Sequence, residues 1–428
     1  MMRSACALAV LALAATVLPP ASGLAENWPG WRGPTGQGIS AETGVPTKWS
    51  AAENVAWKVP VPGQGWSSPI VWGDRVFVTT ATDEGASLHL VCFDRKTGAV
   101  AWDKEVLRQK PDNKSPENSF ATATPVTDGR RVYVLAFDGS LAAVGMDGAA
   151  LWTNREFKYY SQHGLAVSPI LWNGLVIVPF DGSSRGPDKR VGWQKPWDES
   201  VVMAYDSGTG QVRWQTKRKA SRIAHAVPQV VKVDGKDQLV SSAGNVVQGF
   251  DPASGESLWT VTSLGEGVVP SPVVGDGLVF ATTGFTSTTP GLGPPAIRAV
   301  RLGGKGDCTK THIAWEQPKG VPMICSMLYS KPHLFVINEQ GAAKCLKAES
   351  GEIAGEARLR GPFSASPLWA EGRLYFLSEK GETTIVEAAP ELKEVARNPL
   401  GEKCCAGPAI SQKQIFIRTE SNLYCIGK

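Results

Sequence analysis

The sequence predicts an all-β fold, an eight-bladed β-propeller whose last blade is closed by the N-terminal strand. Three observations support this prediction. The 428 residues include 46 Gly and 30 Pro and only 20 % charged residues, a composition that favours many short strands and turns. A unit of four predicted strands recurs along the chain, which is typical of propellers. One strand is left over at the N-terminal end, and one is missing from the last unit.

The recurring unit has two recognisable halves. The first opens with a small residue and Pro, continues as an apolar strand and turns at Gly or Asp, as in "SSPIVWGDRVFVTT". The second is a strand ending in an aromatic residue and Asp, then a tight turn, then Trp, as in "CFDRKTGAVAW" (92–102) and "GFDPASGESLW" (249–259). Openings at residues 66, 122, 166, 225, 269, 324, 364 and 405 give eight units. The eighth has room for three strands, so we expect "NVAWKVPVPG" (54–63) to complete it and to pair the two free edges.

The N-terminal residues predict export. Arg3 precedes a short apolar run, Ala5–Val17, and Gly23-Leu24-Ala25 offers a small-x-small cleavage site, as in a cleaved signal peptide. Cys6 lies before the apolar run rather than after it, so we expect no lipid anchor and a periplasmic or secreted protein without a membrane span. The formal net charge of +4 is too small to indicate nucleic acid binding. The predicted domains are a signal peptide (1–25), an N-terminal arm (26–53) and the propeller (54–428).

The repeat also carries a family resemblance. Its Asp-x-x-Thr-Gly-x-x-x-Trp pattern resembles the pyrroloquinoline-quinone-like (PQQ-like) propellers of eight blades. Exported stand-alone bacterial propellers of this kind are similar in four further stretches: "NWPGWRGPTGQGIS" (27–40), "GWQKPWDES" (192–200), "SRIAHAVP" (221–228) and "GETTIVEA" (381–388). The resemblance covers essentially the whole mature chain.

The resemblance implies two kinds of function. One is a non-enzymatic binding or scaffold module of the cell envelope, similar in architecture to the outer-membrane protein assembly propeller. It would be a monomer, would need no cofactor, and would bind another envelope protein or an extracellular ligand. The alternative is a quinoprotein-like oxidoreductase that uses PQQ with Ca²⁺, or a remnant of one that has lost its cofactor.

Two long insertions fall on one face of the predicted ring. Asp181–Glu199 and Gly284–Pro295 both join second to third strands, and such loops share a face with the blade-to-blade connections. Trp193 and Trp197 lie in the first insertion, where they could bind a partner or fold back over blade 3. The blade-to-blade loops hold more cations than acids, which indicates either an acidic partner or an ordinary solvated face.

The aligned openings predict the residues at the mouth of the central channel. One level of this rim contains Trp66, Thr122, Ala166, His225, Val269, Ile324, Ser364 and Cys405, with His163 just before the third opening. A quinoprotein dehydrogenase needs a carboxylate base and Ca²⁺ ligands there, whereas the nearest acid is Glu266, three residues before its opening. His163 and His225 could bind a metal ion with Cys325 or Cys405, but hydrogen-bonded rim histidines are commoner, and we predict no metal.

The cysteines divide into two groups. Cys92, Cys345 and Cys425 occupy the same small, buried position of three repeats and are predicted to be structural, whereas Cys308 falls in a turn on the opposite face. Cys404 and Cys405 are adjacent at the channel mouth, where either a vicinal disulfide or free thiols are compatible with the sequence.

No catalytic residue is predicted. The candidate partner- or ligand-binding face consists of Trp66, His163, Trp193, Trp197, Arg222, His225, Glu266, Cys325, Cys404 and Cys405.

Overall fold

A computed structural model describes residues 26–219, 221–285 and 291–427. The predicted signal peptide lies outside the described residues. Eight antiparallel sheets follow one another along the chain, each with at least four strands, and this confirms the eight-bladed propeller. None of the helices in the described part of the chain has the length and apolar character that crossing a bilayer requires.

Blades 1 to 4 follow the chain order, and a short 3-10 helix, Asp83–Gly85, lies between β3 and β4. Their strands are β2 (Ile70–Trp72), β3 (Arg75–Thr82), β4 (Ser87–Asp94) and β5 (Val100–Arg108) in blade 1; β6 (Val126–Thr127), β7 (Arg131–Leu135), β8 (Leu141–Gly145) and β9 (Ala150–Asn154) in blade 2; β10 (Ile170–Trp172), β11 (Leu175–Phe180), β12 (Val201–Asp206) and β13 (Val212–Lys217) in blade 3; and β14 (Gln229–Val233), β15 (Lys236–Ala243), β16 (Val246–Phe250) and β17 (Ser257–Thr262) in blade 4.

Blades 5 to 8 complete the ring. Their strands are β18 (Val273–Gly275), β19 (Leu278–Thr282), β20 (Ile297–Arg301) and β22 (Ile313–Gln317) in blade 5; β23 (Leu328–Ser330), β24 (His333–Ile337), β25 (Ala342–Lys347) and β26 (Ile353–Arg358) in blade 6; β27 (Leu368–Ala370), β28 (Arg373–Leu377), β29 (Glu382–Glu387) and β30 (Glu394–Pro399) in blade 7; and β31 (Ala409–Ser411), β32 (Gln414–Arg418), β33 (Asn422–Ile426) and β1 (Val55–Pro60) in blade 8.

The N-terminal strand closes the ring as predicted. β1 pairs antiparallel with β33, with Trp57 opposite Cys425 and Pro60 opposite Asn422. The outer position of blade 8 is therefore filled from the other end of the chain, and β1 covers the edge that β33 would otherwise expose.

The repeat motif is explained by contacts between neighbouring blades. The carboxylate of Asp94 accepts hydrogen bonds from the backbone N–H groups of Lys96 and Thr97, which fixes the tight turn. The indole of Trp57 then donates to the carbonyl of Arg95 in that turn at 2.8 Å, and its ring lies against Gly98. The same indole-to-turn hydrogen bond joins later blades through Trp102, Trp152, Trp214 and Trp315. Each Trp therefore fastens its blade to the next one.

The departures from the repeat have local causes. Gly355 stands where blade 6 would have Trp, and a Cβ there would lie 1.8 Å from the carbonyl oxygen of Pro390 in blade 7. The irregular turn of blade 7 thus occupies the space that Trp fills elsewhere.

Blade 4 has a fifth strand that the repeat did not predict. β21 (Gly306–Asp307) belongs to the connection before the last strand of blade 5, but it pairs parallel with β17 of blade 4. Cys308 follows it at the start of a turn and is buried in the core between blades 4 and 5.

The N-terminal arm closes the end of the channel opposite the blade-to-blade loops. Trp28 exchanges two backbone hydrogen bonds with Val71 in blade 1, each 2.8 Å long. Further along, the side chain of Gln37 accepts from Val274 of blade 5 at 2.7 Å, and Ile39 pairs with Trp369 of blade 7. The contacted residues are the middle residues of the inner strands of blades 1, 5 and 7, so the arm crosses the axis and turns the channel into a blind cavity.

Candidate functional site

The cavity on the propeller axis is the candidate site. Its volume is about 520 Å³, within the range of small-molecule pockets. All eight residues aligned at the blade openings form part of its wall: Trp66, Thr122, Ala166, His225, Val269, Ile324, Ser364 and Cys405. Their common placement follows from the repeat, because each lies four residues before the inner strand of its own blade.

A ring of hydroxyl groups lines the middle of the cavity. The backbone N–H of Ser68 donates to Thr124 Oγ1, and that of Thr124 donates to Ser168 Oγ, both at 2.9 Å. The same link recurs from Val227 through Ser271 and Ser326 to Ser366. Each of these hydroxyls accepts one N–H and keeps its own proton to donate. In six of the eight blades this position is therefore a Ser or Thr that adds to a polar wall, whereas blade 4 has Val227 and blade 8 has Gly407 there.

The arm supplies the floor of the cavity through Trp31 and Arg32. Arg32 is 4 % exposed, and its Nη2 donates to the carbonyl of Pro367 at 3.3 Å. Within the described residues, its Nε and Nη1 have no hydrogen-bond partner. Burial lowers the pKa of Arg32 to about 9, so the guanidinium is charged at neutral pH. Arg32 was not predicted from the sequence as a site residue, because the arm has no counterpart in the repeat.

Aromatic rings surround the mouth of the cavity. The ring of Trp193 lies 4.8 Å from that of His163 and 5.5 Å from that of Phe285, measured between centroids. On the other side, the ammonium of Lys403 lies 5.5 Å from the centre of the Trp66 ring. Trp193 therefore folds back over the channel rather than projecting freely.

The two histidines at the mouth are neutral at physiological pH. Burial lowers the pKa of His225 to about 4, with a further lowering by the charge of His163. Burial also lowers the pKa of His163, although Glu117 opposes the effect. In the described part of the chain, Nδ1 of His225 has no hydrogen-bond partner. The mouth thus presents uncharged imidazoles among aromatic rings.

The remaining predicted residues lie behind the cavity wall. Trp197 packs near Gly182 and pairs with Ser221. Arg222 is buried and donates to the carbonyls of Gln194 and Gly265 at 3.2 and 2.9 Å. Their role in a binding face stays a prediction.

The acid nearest the channel is Glu117 rather than Glu266. Glu117 lines the cavity and accepts a hydrogen bond from Ser115, whereas Glu266 is buried outside the cavity lining. Glu117 lies in the long connection between blades 1 and 2, which folds over the mouth and has no fixed register to the repeat. A register-based alignment therefore could not select it.

The adjacent cysteines have different surroundings. Cys404 is buried in the core between blades, whereas Cys405 is on the cavity wall, and both are free thiols in the structure. Burial raises the pKa of Cys405 to about 12, so it is a neutral thiol at physiological pH. The buried Cys325 directs its Sγ to the carbonyls of Phe363 and Ala365, at 3.5 Å each, behind the wall.

The donor set fits neither metal site that the sequence raised. Ca²⁺ takes six to eight oxygen ligands, several of them carboxylates. The cavity lining holds one carboxylate, Glu117. For Zn²⁺ or Cu, the lining offers His163, His225 and Cys405 from different parts of the ring, whereas Cys325 is outside the cavity. Among the described residues, no group of three or more His, Cys, Asp or Glu side chains is placed to hold a metal ion.

Several cations of the blade-to-blade loops pair with acids of the same chain. Arg108 pairs with Asp83, Lys217 with Glu199, and Arg155 with Asp138, at distances from 2.8 to 3.9 Å. The pair of Arg218 with Asp181 is fully buried, at 2.6 Å. These pairs account for part of the excess of cations that the sequence shows.

A Ser–His–Asp contact chain lies on blade 1, away from the cavity. Ser87 Oγ is 3.0 Å from His89 Nε2, and His89 Nδ1 is 2.8 Å from Asp103. The Ser87 side chain is buried, and its hydroxyl also donates to the carboxylate of Glu105. A nucleophile needs an accessible oxygen and a base that takes its proton. This arrangement therefore stabilises the outer strands and forms no hydrolytic site.

Comparison with known proteins identifies the family. The family described as outer membrane protein assembly factor BamB matches residues 34–115, 89–236, 198–290 and 312–390, more than half of the chain. A curated relative, the outer membrane protein assembly factor BamB of Burkholderia pseudomallei, is 27 % identical over 228 residues, 45 % of this chain and 54 % of the relative. The chain therefore matches about half the length of that relative.

Solved structures are similar in fold. BamB from Moraxella catarrhalis aligns with a TM-score of 0.58 at 13 % identity, over 87 % of this chain and 97 % of that chain. A europium-containing methanol dehydrogenase aligns with a TM-score of 0.65 at 12 % identity, over 94 % of this chain and 98 % of that chain. At such identities the likeness shows the propeller fold alone.

Proposed function

This chain belongs to the family of outer membrane protein assembly factor BamB, and we propose that it is an exported, non-enzymatic propeller that binds another protein of the cell envelope during outer-membrane protein assembly. The family membership supports the cellular role. The elaborated side of the loop-rich face supports binding of a partner, because loops beyond what ring closure needs are concentrated there.

The candidate partner surface joins two blades on that face. We call it the insertion face; it consists of residues 181–199, 221–224 and 263–267. Arg222 holds its parts together by donating to Gln194 in the first insertion and to Gly265 in the connection from blade 4 to blade 5. Because Arg222 is buried and donates its hydrogen bonds to two carbonyls, it fixes the shape of the surface rather than offering a charge to a partner.

An exposed leucine marks the centre of the insertion face. Leu264 is 64 % exposed, the highest value among the large hydrophobic residues described as exposed. The N–H of Gly293, from the second insertion, donates to the Leu264 carbonyl at 2.9 Å and holds this loop in place. An exposed apolar side chain on a loop whose backbone is held by a hydrogen bond is a suitable anchor for a protein partner.

The test is capture of envelope partners by Leu264→Asp and by a matched control. Leu151 is 49 % exposed on β9, an outer strand, so Leu151→Asp adds the same charge away from the insertion face. We expect the wild type and Leu151→Asp to retain an outer-membrane protein assembly component, identified by mass spectrometry after in vivo cross-linking. We expect Leu264→Asp to lose about tenfold or more of it. Equal capture by both variants, or no assembly component with the wild type, contradicts the proposal.

The alternative is a quinoprotein-like oxidoreductase, favoured only by the shared fold with the methanol dehydrogenase. The donor set of the cavity argues against it, because Glu117 is the single carboxylate in the lining. Titration of the mature protein with PQQ and Ca²⁺, followed by a dye-reduction assay with alcohols, distinguishes the two. Saturable binding with dye reduction would overturn the non-enzymatic proposal.

A further inference from the structure

We propose that the blind axial cavity binds the carboxylate of a small apolar or aromatic acid, with Arg32 as the anchoring cation. The cavity shares Trp193 and Ile223 with the insertion face, but binding of an acid inside it does not depend on the partner proposed above.

The Arg32 guanidinium is a buried charge with few hydrogen-bond partners among the described residues. A buried cation normally pairs with a carboxylate, because an unpaired buried charge is costly. Arg218 follows that rule: its Nε lies 2.6 Å from Asp181, and it also donates to Gln248 and Ser241. Arg32 makes one long hydrogen bond to a carbonyl and lies 5.5 Å from the centre of the Trp31 ring, and its Nε and Nη1 have no hydrogen-bond partner within the described residues.

The backbone conformation of the arm and a neighbouring glycine fix the position of the Arg32 side chain. Arg32 has a left-handed backbone with φ of 56°, and Gly38 lies beside its guanidinium. A Cβ at Gly38 would be 2.8 Å from both Nε and Nη2, so only glycine leaves room for the side chain. The arm is held across the axis by blades 1, 5 and 7, which fixes the guanidinium at the floor of the cavity.

Hydroxyl groups on the cavity wall can donate hydrogen bonds to a bound anion. The hydroxyls of Ser68, Thr124, Ser168, Ser271, Ser326 and Ser366 retain protons that they can donate to an anion. A carboxylate on the floor would accept from Arg32 and from hydroxyls of the ring, which are charge-assisted hydrogen bonds in a desolvated site.

The mouth defines the rest of the ligand. Trp66, Trp193 and Phe285 offer aromatic surface, and His163 and His225 are neutral. Glu117, also in the lining, repels a second negative charge near the mouth. The ligand is therefore a monoanion with an apolar or aromatic body, whether a free organic acid or the C-terminus of a peptide.

The experiment compares acids with their neutral amides on the mature protein. The probes are phenylacetate, phenylacetamide, and the peptide Ala-Ala-Leu with a free or an amidated C-terminus. Binding is measured by calorimetry and by Trp fluorescence, since Trp31, Trp66 and Trp193 line the cavity. We expect saturable binding of phenylacetate and at least about tenfold weaker binding of phenylacetamide. If the free-acid peptide binds and its amide does not, the cavity also takes chain termini.

Variants test the role of Arg32 directly. Arg32→Met is expected to weaken phenylacetate binding about tenfold or more, and Arg32→Lys is expected to retain part of it. The matched control is Arg418→Met, because Arg418 is equally buried but binds Ser67 and Thr79 outside the cavity. Its folded fraction should bind like the wild type. Binding of neither acid, equal binding of acid and amide, or full affinity in Arg32→Met overturns the inference. The acid–amide comparison needs no variant, so it holds even if a variant fails to fold.

Discussion

The blade junctions and the axial cavity treat buried polar groups differently. At the junction of blades 3 and 4, Arg218 meets Asp181 at 2.6 Å and two further side chains. In the cavity, Arg32 and His225 keep nitrogen atoms that lack partners among the described residues. Arg418, between blades 8 and 1, is intermediate, with two hydrogen bonds from Nη1 and two nitrogens unpaired. Unpaired buried nitrogen atoms thus occur in both places among the described residues, but Arg32 and His225 line the cavity, where a ligand can supply the missing partners.

The largest effect is expected from breaking the pair at the junction. Asp181→Ala leaves Arg218 buried without its counter-ion and should lower the free energy of unfolding by about 3–5 kcal/mol. Guanidinium denaturation at neutral pH measures the change. The double variant Asp181→Ala/Arg218→Met should recover most of the loss. A loss below about 1 kcal/mol would mean that water reaches the pair.

The next effect is the acid sensitivity contributed by His225. Its folded pKa of about 4 lies below the value of 6.5 for a free histidine. As the pH falls through this window, the unfolded chain binds the proton first, so stability due to His225 is lost between pH 6.5 and 4. The loss should approach about 3 kcal/mol at the lower end.

His225→Gln should remove this pH dependence. The free energy of unfolding of the wild type, minus that of the variant, should fall as the pH is lowered from 6.5 to 4. The raised pKa of Asp181, due to its burial and opposed by Arg218, gives a slope of opposite sign, but it is common to both proteins and cancels in the difference. A difference independent of pH would contradict the buried, neutral state of His225.

At the cavity floor we expect a smaller change in the free energy of unfolding, and an increase rather than a decrease. Arg32→Met removes an unpaired buried charge while keeping most of the side-chain volume, and should raise the free energy of unfolding of the ligand-free protein by about 1–2 kcal/mol. Thermal unfolding without added acids measures it, with Arg418→Met as the comparison that should destabilise. If Arg32→Met destabilises as much as Arg418→Met, Arg32 stabilises the fold in the same way as the arginines at the blade junctions, which contradicts this prediction.

The smallest effect concerns the repeat tryptophans. Trp315→Phe keeps the ring but loses the hydrogen bond to the Ala348 carbonyl, which should cost about 1 kcal/mol. Urea denaturation checks the value, and Trp197→Phe, outside the blade junctions, serves as the control. An equal loss in both variants would show that the indole hydrogen bond adds nothing to ring closure.

Most of the fold could be predicted from the repeat, because the period of the repeat and the composition of the chain both indicate β-strands. The eight openings, the closure by β1 and the small buried position of Cys92, Cys345 and Cys425 all follow from it. It could not predict β21, since two residues that pair parallel with another blade carry no alternation of their own.

The floor of the candidate site lay beyond the repeat for the same reason. The arm that brings Arg32 to the axis is irregular, and its contacts reach residues as distant in sequence as Trp369. The mouth residues from the blade openings were found, whereas Glu117 was missed because its long connection has no register. A buried, unpaired arginine also contradicts the usual expectation that Arg is exposed, so only the folded chain reveals it.

The pairing of β1 with β33 changes how the protein can come apart. Val55 pairs with Ile426, so the two strands that complete blade 8 come from opposite ends of the described chain. A linear array of repeats loses its terminal units first, since each contacts only one neighbour. In this ring every blade has two neighbours, and loss of any blade requires two junctions to open together. Unfolding should therefore be a single cooperative event, and the cavity and the insertion face should persist or vanish together.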